Sequence, residues 1–273
     1  MEAIMRDFAR VFLVVSIVVG CGLAQDTTKE KHVRDIKAEQ TQEAIFASPL
    51  CQRVKVDGRN YYSRPQVNPA TLAADLYALM QQSDEVVVTS GPVDLATAIS
   101  PSGEDVGEYF DVKVLRSWKG THKVGDLLTF GVPQGTVNCE PTTTVRSGPF
   151  VGASTLRMDW LGQGSLGPYV LFLRQSRSDE KELIPGLRLT GGDGLQGFFS
   201  VLHNKNGTEC TGGPSRFEKC LAVLDTIQEP ISVQYRPDPL KKKYDGMPTS
   251  KFIKEVQSVA DSLGYSGQAN SAK

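Results

Sequence analysis

Histidine is scarce in this chain, and the motifs that usually carry catalytic histidines are missing. The sequence has three histidines among 273 residues, and none stands in the H-E-x-x-H pattern of a zinc peptidase. It has no C-x-x-C pair either, which argues against a zinc ribbon and a thioredoxin-type redox site. We therefore predict no metal ligands, no cofactor and no recognisable catalytic residue, and we interpret His32, His122 and His203 as surface residues.

An excess of charge of one sign is also lacking. The sequence has 30 basic and 31 acidic residues and a formal net charge of −1. Binding to nucleic acid depends on a strongly basic face, so we do not expect nucleic acid as a partner. The basic run Lys241-Lys242-Lys243 is interpreted as a solvated loop.

The first segment has the features of an export signal. Arg6 and Arg10 precede the apolar run Val11–Val19, which is followed by small residues. Nine helical residues span about 14 Å, less than half of the apolar core of a bilayer. Two cleavage sites are open: one after Ala24, which leaves Gln25 first, and a lipobox at 18–21, after which a lipidated Cys21 would be the first residue. We therefore expect an extracytoplasmic protein, periplasmic or secreted, with a membrane contact only through a lipid on Cys21.

Four cysteines remain once Cys21 is cleaved off or lipidated. They are Cys51, Cys139, Cys210 and Cys220. An even number in an oxidising compartment predicts two disulfides with three alternative connectivities. The pairing that is local in sequence joins Cys210 to Cys220 and leaves Cys51 for Cys139, and four buried thiols are the alternative.

The mature chain divides into three zones by its apolar pattern. Residues 25–65 form a polar arm that ends in a hairpin, with Val54 and Val56 before a turn at Asp57-Gly58. Residues 66–205 contain a leading helix and then short strands in series, and residues 206–273 form a helical extension. Strands separated by glycine and proline turns, without helices between them, favour an antiparallel barrel or sandwich. We predict a mainly β (α+β) fold, an antiparallel OB-like barrel with flanking helices.

Individual elements follow from periodicity and capping residues. Asn68-Pro69 is predicted to begin the leading helix, and its apolar face is formed by Leu72, Ala73, Leu76, Tyr77, Leu79 and Met80. One strand face is predicted to carry Phe110, Val112, Val114 and Trp118. The run 169–173, YVLFL, predicts a strand buried on both faces, while Pro230, Pro237 and Pro239 predict extended chain before a final helix that ends at Gly264.

The segment Gly192–Gly197 formally matches the glycine fingerprint of dinucleotide-binding proteins. That site needs a helix immediately after the glycines, whereas the residues that follow, Phe198-Phe199-Ser200-Val201, predict a strand. We therefore interpret the segment as a β-turn. An S-x-x-K match at 178–181 lies in a charged loop and is not interpreted as a nucleophile.

Three segments in the middle of the chain together resemble the netrin-type module. They are Ser83–Val88, Val112–Gly120 and Gly167–Leu173, with Cys139 between the last two, and the resemblance covers about residues 66–205. This module occurs in tissue inhibitors of metalloproteinases and in exported bacterial proteins, and the resemblance implies a five-stranded barrel of the OB class. The inhibitors chelate the protease zinc with an N-terminal cysteine, which Cys51 cannot imitate from inside the mature chain.

These observations favour a non-enzymatic exported bacterial protein whose barrel binds a protein or a small ligand. The alternatives are a secreted hydrolase with scattered catalytic residues and a protease inhibitor of the netrin type. A hydrolase should place His122 or His203 beside a carboxylate or hydroxyl in a cleft. Trp118 and Trp160 are the candidates for a binding surface.

Overall fold

The computed structural model describes residues 30–57, 72–133, 135–140, 143–147, 167–177, 186–191, 196–202, 219–220, 222–233 and 238–265. The predicted export signal, Cys21, Trp160, His203 and Cys210 lie outside these residues.

Helices flank a set of strands that occupies the middle of the chain. The helices are α1 (Val33–Glu39), α2 (Gln42–Ala47), α3 (Pro49–Asp57), α4 (Leu76–Gln82), α5 (Pro239–Tyr244) and α6 (Thr249–Ser262). Residues 219–220 and 222–224 are also helical. The strands are β1 (Glu85–Ile99), β2 (Val106–Lys119), β3 (Leu127–Val132), β4 (Gly135–Glu140), β5 (Thr143–Ser147), β6 (Tyr169–Gln175), β7 (Leu187–Leu189), β8 (Phe198–Val201) and β9 (Ile231–Ser232).

Five of the strands close into a barrel. Their order is β1-β2-β3-β7-β6, and β6 pairs back onto β1 through Glu85–Thr89. Strands β8 and β9 extend the sheet beyond β6, and β4 pairs with β5 in a separate hairpin. The fold is therefore an OB-like barrel with flanking helices, as predicted.

The prediction of a purely antiparallel barrel was wrong at one contact. Strand β3 pairs with β7 in parallel, through Phe130 with Leu187 and Gly131 with Arg188. Strand direction alternates around an antiparallel ring, and a closed ring of five strands cannot alternate completely. One parallel contact is thus a consequence of closing the barrel with five strands.

Alternation along the strands separates two apolar clusters. Inside the barrel, every member strand contributes, and Tyr169, Leu171 and Leu173 of β6 lie there. On the outside, Val170 and Phe172 of the same strand pack with α4, α5 and α6. The predicted burial of YVLFL on both faces is confirmed.

Trp118 lies on the outer face, not on the face of Phe110, Val112 and Val114 as predicted. The pairing of β1 with β2 shifts register at four points, and two of these shifts leave Leu115 and Trp118 as extra residues on β2. Both side chains join the outer cluster, whereas Val114 remains inside. The bulge at Leu115, which periodicity does not reveal, reverses the alternation after Val114 and so places Trp118 on the outer face.

The predicted hairpin at Val54–Asp57 was wrong, because these residues belong to α3. Ser48 accepts a hydrogen bond from the Cys51 N–H, and Pro49 occupies the first turn, where it needs no donor. The Cys51 and Cys139 sulfurs form a disulfide that joins α3 to β4 across 88 positions. That predicted pairing is confirmed, and Cys220 is also disulfide-bonded. Its predicted pairing with Cys210 stays a prediction.

Two other helix boundaries differ from the predictions. Helix α4 begins after Asp75, because Gln196 binds both the N–H and the C=O of Ala73 and so keeps that residue out of a helix. Tyr77, predicted to be apolar-facing, is exposed. Pro239 does not keep the chain extended but begins α5, where Asp238 caps the helix, and the lysines at 241–243 lie in this helix and not in a loop.

Candidate functional site

Trp118 does not form a binding surface. Its side chain is 1% exposed and packs in the outer cluster, while its indole N–H donates to Gln257 Oε1 at 2.7 Å. Trp160, the other candidate, lies outside the described residues. The predicted surface is therefore wrong at the only one of the two tryptophans that the structure describes.

The structure instead brings ionisable groups together where β1 begins and β2 ends. Glu85 is the first residue of β1, His122 follows β2, and Glu30 comes from the arm that precedes α1. We call Glu30, Glu85, Thr121 and His122 the His122 cluster. Its members come from three separate parts of the chain, so no sequence motif predicts the cluster.

Glycine at position 120 allows the carboxylate of Glu85 to approach. Gly120 has a φ of +112°, and a Cβ at this position would lie 1.9 Å from Glu85 Oε2. Glu85 Oε1 then accepts hydrogen bonds from the N–H of Thr121 at 2.7 Å and from its hydroxyl at 3.0 Å. The turn after β2 is thereby fixed against the start of β1.

His122 lies between two carboxylates. Its Nε2 is 2.9 Å from Glu30 Oε2, and its Nδ1 is 3.1 Å from Glu85 Oε1. The Nδ1–Glu85 contact has ion-pair distance without hydrogen-bond alignment, whereas the contact with Glu30 has both. The side chain of His122 is 14% exposed, so the prediction of a surface histidine was wrong here.

The charges in the cluster stabilise one another. The hydrogen bond with Glu30 and the neighbouring Glu85 carboxylate raise the pKa of His122 to about 10, against the opposing effect of burial. Burial acts to raise the pKa of Glu30, but hydrogen bonds from His122 and the Thr129 N–H hold it below its usual value. His122 is therefore an imidazolium at neutral pH, with a carboxylate at each nitrogen.

A second set of polar contacts continues from the cluster along the arm. Thr129 donates from its hydroxyl to Asp111 Oδ1 at 2.6 Å, and His32 Nδ1 lies 2.9 Å from the same hydroxyl. The N–H of Val33 donates to Asp111 Oδ1 at 3.1 Å, so the first turn of α1 is fixed to β2. His32 is half-buried in this network, so the prediction of a surface residue is only partly correct for this histidine.

These contacts hold the arm on the barrel and place a carboxylate oxygen 2.9 Å from Nε2 and 3.1 Å from Nδ1 of His122. A general base needs an unprotonated nitrogen directed at substrate, and His122 offers neither at neutral pH. Among the described residues, no group of three or more His, Cys, Asp and Glu side chains is arranged to hold a metal ion. Residues 192–195 of the glycine-rich segment lie outside the described residues, but Gln196 and Gly197 form a turn and β8 follows, which confirms the predicted strand at the place where a dinucleotide site needs a helix.

Sequence reasoning also missed a buried amide that joins three segments. The side chain of Gln196 binds the backbone of Ala73 through both its oxygen and its nitrogen and also donates to Asp238 Oδ1 at 2.9 Å. Burial raises the pKa of Asp238. No pattern distinguishes this glutamine from a surface residue, because its partners are distant in sequence.

The comparisons with known proteins add no relative. No protein-family model, curated protein or solved structure matches this chain. Within the described residues, every helix is too short or too polar to cross a bilayer. The disulfide between Cys51 and Cys139 is consistent with an extracytoplasmic location.

Proposed function

We propose that this chain is an exported bacterial protein that binds a protein or small ligand through its OB-like barrel and carries out no chemistry on it. OB-class barrels commonly serve as binding bodies whose specificity lies in loops and mouths. The observation that carries the proposal is the pairing of His122 with Glu30 and Glu85. Because these contacts hold the arm on the barrel, the described histidine with the strongest polar surroundings is not directed at a substrate.

Export is part of the proposal. The segment at 1–24 is proposed to be removed to leave Gln25, or the lipobox is proposed to leave a lipidated Cys21. Mass spectrometry of the native N-terminus distinguishes the two, since a diacylated cysteine adds the mass of its lipids. An N-terminus at Met1 in the native protein would contradict export by either route.

A hydrolase is supported less well. The arrangement meets one requirement, because His122 stands beside carboxylates, but its Nε2 is bound to Glu30 and its Nδ1 faces the carboxylate of Glu85. Inhibition of the netrin type stays a proposal resting on the resemblance of 66–205. The cysteine at 51 does not assist it, since its sulfur is buried in the disulfide with Cys139.

The test compares ligand-dependent stability with turnover on the same purified mature chain. We expect at least one chemical class among amines, carboxylates, saccharides and peptides to raise the Tm with concentration, as binding to the folded state requires. We expect no hydrolysis of model esters, phosphomonoesters or peptides above the buffer rate, with or without divalent metal ions. Turnover that a single substitution abolishes would overturn the proposal.

A further inference from the structure

Glu108 is a partly buried carboxyl group that the His122 cluster does not use. It lies on β2, where it pairs with Thr97 of β1 on one side and with Val132 of β3 on the other. Directly paired residues point to the same face of a sheet, so these three side chains share a face. The members of β2 two positions away on that face are Val106 and Phe110.

This face is the mouth of the barrel interior at the far end of β1 from Glu85. Phe110 and Val132 belong to the cluster inside the barrel, and Val106 belongs to the separate apolar cluster around the disulfide. Glu108 therefore stands between two apolar clusters. We call Leu95, Thr97, Val106, Glu108, Phe110 and Val132 the Glu108 mouth.

One side of the mouth is covered and the other is open. A Cβ at Gly135 would lie 2.9 Å from Thr97 Cγ2 and 2.8 Å from Val106 Cγ1, so the first residue of β4 lies directly over these two side chains. Leu95, which pairs with Phe110, is 43% exposed. An apolar rim in contact with water thus leads to the carboxyl group.

No described group balances the charge of Glu108. On this face β1 presents Leu95, Thr97 and Ile99, while β3 and β4 present apolar residues, with no charged side chain among them. Burial alone raises the pKa of Glu108 to about 7. An ionised carboxylate in such a position is most stabilised by a cation that brings its own apolar surface, because both the charge and the rim are then covered.

We propose that the Glu108 mouth is a binding site for a ligand that carries an ammonium group on an apolar body. The ammonium group binds the Glu108 carboxylate, and the apolar body lies against Leu95 and the edge of the barrel interior. This inference rests on the proposed binding function and names the ligand class.

The experiment titrates the full mature chain with hexylammonium, hexanol and hexanoate while amide NMR shifts are followed. We expect saturable shifts around Leu95, Thr97 and Val132 with hexylammonium, and binding weaker by about tenfold or more with hexanol. Glu108→Gln should weaken hexylammonium binding by about tenfold. Lowering the pH from about 8 to about 5.5 should weaken it likewise, because protonation removes the charge.

Matched variants separate a specific loss from unfolding. Glu104→Gln changes an exposed glutamate that pairs with Arg53 at 3.7 Å, and it should leave hexylammonium binding unchanged. Leu95→Ser should weaken the binding of hexylammonium but not of methylammonium, and its NMR spectrum shows whether the fold is kept.

Equal affinity for hexanol and hexylammonium, full binding by Glu108→Gln, or no hexylammonium shift at all would each overturn the inference. If hexylammonium causes no shift but another ligand class raises the Tm, only the proposed ligand class is wrong. If the protein shows catalytic turnover, the proposed binding function itself is wrong.

Discussion

The His122 cluster and the Glu108 mouth lie toward opposite ends of β1, and buried charge is balanced in one and not in the other. In the cluster, Glu30 and Glu85 face an imidazolium, and the pKa of His122 rises to about 10. In the mouth, the described neighbours of Glu108 are Thr97 and apolar side chains, and its pKa rises to about 7 through burial. Among the described residues, the charges of the cluster are paired with one another, whereas burial is the cause of the raised Glu108 pKa.

The largest expected effect comes from removing the inner partner of His122. Glu85→Ala should lower the free energy of unfolding by about 4 kcal/mol, because it leaves a largely buried imidazolium with one carboxylate and the Thr121 N–H without its acceptor. Urea denaturation at neutral pH measures the change. Glu104→Ala, at an exposed ion pair, is the control and should change the free energy by no more than about 0.5 kcal/mol. Equal losses in the two variants would mean that the cluster does not hold the fold.

Removing the carboxyl group at the Glu108 mouth is expected to raise the free energy of unfolding, not to lower it. The raised pKa means that the folded state holds its proton more tightly than the unfolded state, so this stability is full below about pH 4.5 and is lost as the pH rises through about 7. Glu108→Gln should therefore be more stable than the wild type at alkaline pH, by up to about 3 kcal/mol for a shift from 4.5 to about 7. Thermal unfolding of both proteins from about pH 5 to about pH 9 measures it. A difference that does not change with pH would count against an unbalanced carboxylate.

Glu30→Gln should weaken the cluster more gently, because Glu30 is more exposed than Glu85. The pKa of His122 should fall from about 10 toward its ordinary value, and the unfolding free energy should fall by about 1 kcal/mol. A raised histidine pKa stabilises fully below about pH 6.5 and loses this effect as the pH rises through about 10, so the loss should be clearest in weak acid and at neutral pH. NMR titration of the imidazole measures the pKa, with Glu39→Gln as the control on the arm. An unchanged His122 pKa would show that the Glu30 contact is not formed in solution.

The smallest effect is expected at the exposed pair between the arm and β1. Lys37 Nζ lies 2.6 Å from Asp94 Oδ1, and this hydrogen bond lowers the pKa of Asp94. Lys37→Ala should cost no more than about 0.5 kcal/mol, since water screens the pair. Urea denaturation alongside Glu85→Ala gives the measurement. A loss as large as that of Glu85→Ala would mean that an exposed ion pair stabilises this protein as much as a buried one, which would contradict the comparison.

The strands of the barrel could be predicted because the apolar pattern of each strand lies within a short segment of the sequence. Alternation in 128–132 and the continuous apolar run at 169–173 each predict a strand, and both segments fold as expected. The parallel contact of β3 with β7 and the two bulges at Leu115 and Trp118 were not predictable in this way. They arise from closing the ring, which is a property of all five strands together.

The sites were less accessible to sequence reasoning. Glu30 and His122 are 92 positions apart, and neither has a motif that points to the other. Glu108 is different, because it occupies the same strand period as Phe110 and Val112 and so could have been recognised as a carboxyl group on an apolar face. The helix at Val54–Asp57 was missed because the Asp57-Gly58 turn signal outweighed the cap at Ser48.

The bond between Cys51 and Cys139 also ties the cover of the Glu108 mouth to oxidation. Strand β4 carries Cys139 at one position and, four residues earlier, the glycine that covers Thr97 and Val106. A chain whose thiols are still reduced lacks the covalent support beneath that cover. Oxidation of the two thiols therefore joins α3 covalently to the strand that covers Thr97 and Val106.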